Sequence, residues 1–326
     1  MVPGTFKDRR TGLVVFGILT ILLGAACALL VPLMAFAAFL PARPGAPSQS
    51  IHTVIPGMAL YAVLAIAFIW LGIGSILKRR WARALLLIGS WSWLAVGILA
   101  LVFMGISAPD IWKNLQASMK DVPAAAQWIP LIVMGIMFSV IYVILPGIWV
   151  LFYRSRHVKA TCDFYDTTVR WTDGCPLPVL GVVVWLDFSV LCSLIVVAAG
   201  PAILPFFGTF LLGVSAKVLF VLVALVCGYV GWLIYRLDLR GWWILVAMVS
   251  LFTISALVTY SRHDVMDMYR LLDFPPEQIA LMEQYNFLKG NVLYLSVLLW
   301  VVPAGAYLYY IRRFFPKSGP ASLPQG

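Results

Sequence analysis

The chain has 326 residues, of which 63% are hydrophobic and 11% charged, whereas a soluble domain carries roughly a quarter charged residues. Too little polar surface is left to cover a core, so a soluble globular protein is excluded. A formal charge of +10 would suit nucleic acid, but Lys and Arg sit in short clusters beside apolar runs and line no single face. The expected partner is the lipid bilayer, not nucleic acid.

Uninterrupted apolar runs predict eight transmembrane helices near residues 12–40, 54–77, 84–107, 129–153, 178–199, 211–235, 241–260 and 290–311. Each reaches the ~20 residues that a helix needs to cross the hydrocarbon. The runs do not alternate, which argues against barrel strands. The first follows Lys7, Arg9 and Arg10 and stays uncharged from Gly12 to Leu40. That exceeds the ~7 to 15 residues of a signal-peptide core, so it is expected to be retained, tilted or bent at Pro32.

Charge on the loops sets the expected orientation. Sixteen Lys and Arg fall on the side of both termini and six on the other, with Lys217 inside a span. Both termini are therefore expected in the cytoplasm, in a multi-pass protein of the cell membrane.

Aligned on itself at an offset of 157, the chain repeats Asp110-Ile-Trp-Lys-Asn-Leu115 as Asp267-Met-Tyr-Arg-Leu-Leu272, and Gln127-Trp128 as Gln284-Tyr285. Gly74 then matches Gly231, Arg79 matches Arg236, Pro146 matches Pro303 and Tyr153 matches Tyr310. The expected fold is thus an all-α polytopic membrane protein of two parallel four-helix repeats, residues 1–153 and 178–326. Residues 154–177 are the cytoplasmic linker, with room for a short hairpin through Thr168-Val-Arg-Trp171. The repeats differ in one outer loop. Residues 41–53 are polar, whereas 198–210 are apolar and are expected to dip into the interface or re-enter the bundle.

The candidate functional residues are the polar ones that break this pattern. Asp187 stands about nine residues into the fifth helix, ~14 Å from its boundary and near the midplane. A carboxylate there must be paired, hydrated or protonated. It is either a proton or cation site or a hydrogen-bonded group that joins helices. Lys217, in the sixth helix, either pairs with Asp187 or snorkels to the outer interface. The repeated motif places Asp110 and Lys113 after the third helix, and Asp267 and Arg270 after the seventh. These segments read as short interfacial helices, as anchors or as caps on an outer vestibule.

His157, Cys162 and Cys175 share the linker, but their spacing does not suit a closed zinc site, which takes four ligands. No cofactor and no catalytic or phosphate-cradling motif is expected. The leading functional expectation is a small transporter or permease-like protein with a midplane acid. The alternative is a non-catalytic membrane-embedded accessory or binding subunit.

Overall fold

The structure is a computed structural model that describes residues 6–39, 51–118, 127–272 and 291–316, with positions 123, 274, 279, 280 and 283. Helices α1 (Arg10–Phe39), α2 (Ile51–Ile76) and α3 (Arg80–Ser118) are followed by α4 (Trp128–Ser139), which continues through one π-helical turn (Val140–Ile144) into α5 (Leu145–Arg154). Then come α6 (Arg156–Tyr165), α7 (Leu177–Ala199), a hairpin of β1 (Ile203–Phe206) and β2 (Thr209–Leu212), and α8 (Gly213–Tyr235). The chain ends on α9 (Leu239–Tyr260), α10 (Val265–Leu271) and α11 (Asn291–Ile311).

Eight of these segments are long and apolar enough to cross a membrane: Arg10–Ala38, Val54–Ile76, Arg80–Pro109, Trp128–Arg154, Leu177–Ala199, Gly213–Tyr235, Leu239–Tyr260 and Tyr294–Phe314. Their limits fall within about one turn of those read from the sequence. Exposed Leu, Ile, Val and aromatic side chains line the outer faces of all eight. In water such a surface would be untenable, so the chain is a multi-pass integral membrane protein in contact with lipid.

One end of the bundle gathers the clustered basic residues. The Lys7 and Arg9 amides donate to His157 Nδ1 (3.2 Å) and Thr161 Oγ1 (3.1 Å). Arg80 at the start of α3 ion-pairs with Asp163 of α6 at 3.2 Å and with Asp173 at 3.0 Å. Asp166, 2% exposed, accepts from the Arg80 amide at 3.2 Å and from Arg79 Nη1 at 3.5 Å. Residues 154–177 are therefore an ordered cap. The hairpin expected at 168–171 is not formed. The Asp173 carboxylate instead accepts from the Arg170 amide (3.1 Å) and starts a 3-10 turn, Trp171–Asp173.

Small residues set the helix pairing. A Cβ added at Gly17 would lie 2.8 Å from the Gly72 carbonyl, and one at Gly72 would lie 2.7 Å from the Gly17 carbonyl, so α1 and α2 touch backbone to backbone. In the second half Val179, Val182, Val183 and Leu186 of α7 pack on Cys227, Val230 and Ile234 of α8, with Trp242 and Leu308 closing the core.

Two tight turns at the basic end share one hydrogen-bond pattern. The Lys78 and Arg79 amides donate to Ser75 and Gly74 carbonyls, and the Leu237 and Asp238 amides donate to Ile234 and Leu233. Lys78 (φ 56°) and Leu237 (φ 58°) occupy the left-handed position of this helix cap. The two turns correspond at an offset of 159, two residues away from the 157 that aligns the outer motifs.

The ends of α3 and α9 differ. Residues 110–115 do not follow the third helix but continue it, and Trp112 stacks on Trp128 at 3.6 Å. After α9 the chain breaks, and Asp264 and Asp267 exchange side-chain bonds with each other's amides to start the separate helix α10. The match of Gln127-Trp128 to Gln284-Tyr285 lies outside the described residues.

The apolar segment 203–212 forms an antiparallel hairpin. Its tip amides, Phe207 and Gly208, donate to Ser255 Oγ (3.1 Å) and Thr259 Oγ1 (3.0 Å), and Ser255 Oγ donates to the Pro205 carbonyl (3.1 Å). Those hydroxyls lie in the last turns of α9, so the hairpin folds down onto the bundle without crossing it.

Candidate functional site

Asp187 belongs to α7 and is exposed on its surface. Its Oδ1 lies 3.8 Å from where a Cβ on Gly231 of α8 would stand. Gly231 is only four residues from the basic end of α8 at Tyr235, about 6 Å in depth. Counted along α7, Asp187 stands ten residues from Leu177, about 15 Å.

Lys217 sits in the opposite end of α8, fourteen residues before Gly231, which separates it from Asp187 by roughly 20 Å along the axis. No ion pair joins them. Gly228, one turn before Gly231, is exposed, and a Cβ there would meet nothing within 4 Å. Asp187 has no hydrogen-bond or ionic partner among the described residues.

Of the repeated outer motif, the second copy is the one whose charged side chains are described in full. In α10, Asp267 accepts from the Asp264 amide (3.1 Å) and pairs with Arg270 (3.2 Å), which also reaches Glu283. His263 Nδ1 stands 3.7 Å from Asp267. Lys113 lies on α3, and the side chain of Asp110 lies outside what is described. Of the linker residues, His157 accepts from Lys7, whereas Cys162 and Cys175 are buried in separate apolar clusters.

A concave site does exist where sequence reasoning did not look. A cavity of about 420 Å³ lies between α1, α2, α3 and α5 on one side and α7 on the other. Its wall includes Thr20, Gly89, Ser90, Ser92 and four indoles, those of Trp70, Trp93, Trp149 and Trp185. Most of the wall is aliphatic or aromatic.

Some of the polar atoms in the wall are engaged, whereas the Trp70 and Trp93 N–H groups have no partner among the described residues. Trp185 Nε1 donates to Ser92 Oγ at 2.8 Å and Trp149 Nε1 to Thr20 Oγ1 at 3.4 Å. Ser90 Oγ donates to the Leu86 carbonyl at 2.6 Å, and Thr20 Oγ1 to the Phe16 carbonyl at 2.7 Å. Trp70 and Trp185 line the cavity yet remain 51% and 44% exposed, so it opens sideways. The wall draws on five helices distant in sequence. The available signal was the pair Trp93 and Trp185, which lie away from the interfacial belts where Trp is usual.

No protein-family model, characterised protein or solved structure matches this chain. The fold and the site thus define a class, a multi-pass helical membrane protein with a lateral apolar cavity.

Proposed function

We propose that this protein is a small permease-like protein built as two parallel four-helix repeats. Residues 1–153 and 178–326 are the repeats, residues 154–177 join them, and the basic end faces the cytoplasm. The excess of Lys and Arg on that side supports the orientation. The sequence match supports the repeat, although the turns at Lys78 and Leu237 stand two residues out of its register.

The observation that carries the reading is the position of the cavity. It lies at the seam where α7 of the second half meets helices of the first. A seam between repeats is where transporters form their sites, because rocking of one half against the other changes access to it.

The test is a distance measurement on the protein in liposomes. In a variant lacking the five native cysteines, spin labels on Ile129→Cys and Val214→Cys sit at exposed outer ends of α4 and α8. A permease gives two populated distances, which a substitution filling the cavity shifts toward one. A single narrow distance in liposomes, unchanged by that substitution, overturns the reading.

One observation favours a second reading, the accessory subunit. Asp187 lies exposed on a membrane helix beside Gly231, with the exposed Gly228 one turn away on α8. A partner helix could approach closely there and donate a hydrogen bond or a cation to the carboxylate. Co-purification of a partner that is lost in Asp187→Leu, together with a single spin-label distance, is the result this second reading requires.

A further inference from the structure

Resting on the reading of the seam as the protein's site, we infer that the cavity holds one hydrocarbon chain of a phospholipid from the leaflet at the basic end. Chemistry comes first. The Trp149 and Trp185 N–H groups and the Thr20, Ser90 and Ser92 hydroxyls are engaged, which leaves the Trp70 and Trp93 N–H groups as the indole donors without a partner among the described residues and no unpaired charge. A polar solute entering would give up its hydration and find few free partners, a cost of several kcal/mol for each unmatched group. An apolar chain incurs no such cost and gains contact with aromatic faces. The volume, about 420 Å³, falls in the range of small-molecule sites, roughly 300–1,000 Å³.

Depth and access agree with that chemistry. On α3 the wall runs from Leu85 to Trp93, and the helix begins at Arg80. At 1.5 Å per residue the cavity therefore spans roughly 8–20 Å from the basic end. One leaflet of hydrocarbon is about 15 Å deep. The opening between Trp70 and Trp185 faces sideways, so a lipid can leave its headgroup at the interface and slide one chain in. No basic or acidic side chain lines the wall, so the headgroup is not recognised inside it.

Gly89 supplies a clean probe. It lines the cavity, and a Cβ added there meets nothing within 4 Å, so Gly89→Phe starts a bulky side chain at the cavity wall with room for its first atom. Gly135→Phe, on the open surface of α4, is the matched control. The full-length protein is reconstituted with a phosphatidylcholine that carries a diazirine midway along one acyl chain, then irradiated, digested and mapped.

The expected label concentrates on 85–93 and 184–188, falls at least fivefold in Gly89→Phe and persists in Gly135→Phe. A label spread evenly over exposed positions such as Leu151 and Val214, or unchanged in Gly89→Phe, overturns the inference. So does labelling of the wall by a free diazirine fatty acid but not by the phospholipid. The same samples carry the spin labels described above. Wall labelling with a single distance defeats the permease reading alone, and two distances without wall labelling defeat this inference alone.

Discussion

Cys162 shows how far burial controls a side chain outside the spans. It lies on α6 at 1% exposure, against Leu13, Leu86 and Tyr153. Burial pushes its thiol from an ordinary value near 9.0 up to about 12, the nearby Arg83 countering only in part, and burial likewise raises Cys175 to about 11. Since only the thiolate is nucleophilic, a variant keeping Cys162 alone should react with N-ethylmaleimide at pH 8 about a thousandfold more slowly folded than in denaturant. The sign for stability follows from the same shift. Below pH 9 both folded and unfolded states hold the proton. As pH rises from about 9 toward about 12 the unfolded thiol ionises and the folded one does not, so the folded state loses stability across that window. The denaturation midpoint of the Cys162 protein should fall further between pH 8 and pH 10 than that of Cys162→Ala. Equal declines would show that the thiol is hydrated and that the α6 cap is loose. That role was not legible in the sequence, where His157, Cys162 and Cys175 raised the question of zinc. The spacing revealed that they fit poorly, but only packing places Cys162 and Cys175 in separate clusters.

At the scale of elements, the hairpin β1–β2 depends on two hydroxyls of the neighbouring helix. Its turn places Phe207 at φ 42° and Gly208 at φ 95°, a left-handed pair that non-glycine residues adopt at a cost of about 1 kcal/mol. Two strands of four residues would not be stable alone. Ser255 and Thr259 meet the tip amides, and their removal would leave two donors unpaired at about 1–3 kcal/mol each. In Ser255→Ala/Thr259→Val, amide exchange at 207 and 208 should therefore accelerate tenfold or more, while that of the α7–α8 core stays fixed. Unchanged exchange at the tip would mean that apolar packing alone holds the hairpin. The sequence marked the segment 198–210 as apolar and apart from its counterpart at 41–53, and the structure makes a hairpin of its second part. The sequence could not specify strands, because the polar partners sit some fifty residues away on α9. The eight spans were legible for the opposite reason: a helix that must satisfy its own backbone in lipid announces itself by length and apolarity alone. What α3 does beyond residue 109 was not legible, since Ser107-Ala-Pro-Asp110 resembles the start of a new helix as closely as Asp264-Val-Met-Asp267 does, yet only the second starts one.

For the whole molecule, the buried apolar side chains gather in two main clusters, and α6 packs into the one that contains α1, α3 and α5. Leu13, Leu86, Leu87, Trp149, Tyr153, Val158 and Cys162 form one cluster, all from α1, α3, α5 and α6. Val179, Val230, Trp242, Leu308 and Ile311 belong to another, all from α7, α8, α9 and α11. Between them lie the Arg80–Asp173 ion pair, the Trp185–Ser92 bond, the contact of Ile88 with Leu180, the packing of Leu177 on the first cluster, the approach of Pro56 to Gly200, and the cavity itself. Asp166, Arg79 and Arg80 hold the linker to the first half as far as Asp166, and the chain from there to Arg170 is extended and exposed. A break between Val169 and Arg170 therefore cuts none of the helices and leaves both clusters whole. Co-expressed fragments 1–169 and 170–326 should each insert, with four spans apiece, and co-purify through a tag on either one. Their association should weaken in Trp185→Ala, which removes the bond to Ser92 and part of the seam, and should survive Asp187→Leu if the carboxylate faces outward as placed. Fragments that insert but never associate would mean that the continuous linker, and not the seam, holds the halves together. A first fragment that fails to insert alone would count against an independently closed half, because its core would then need α7 to form.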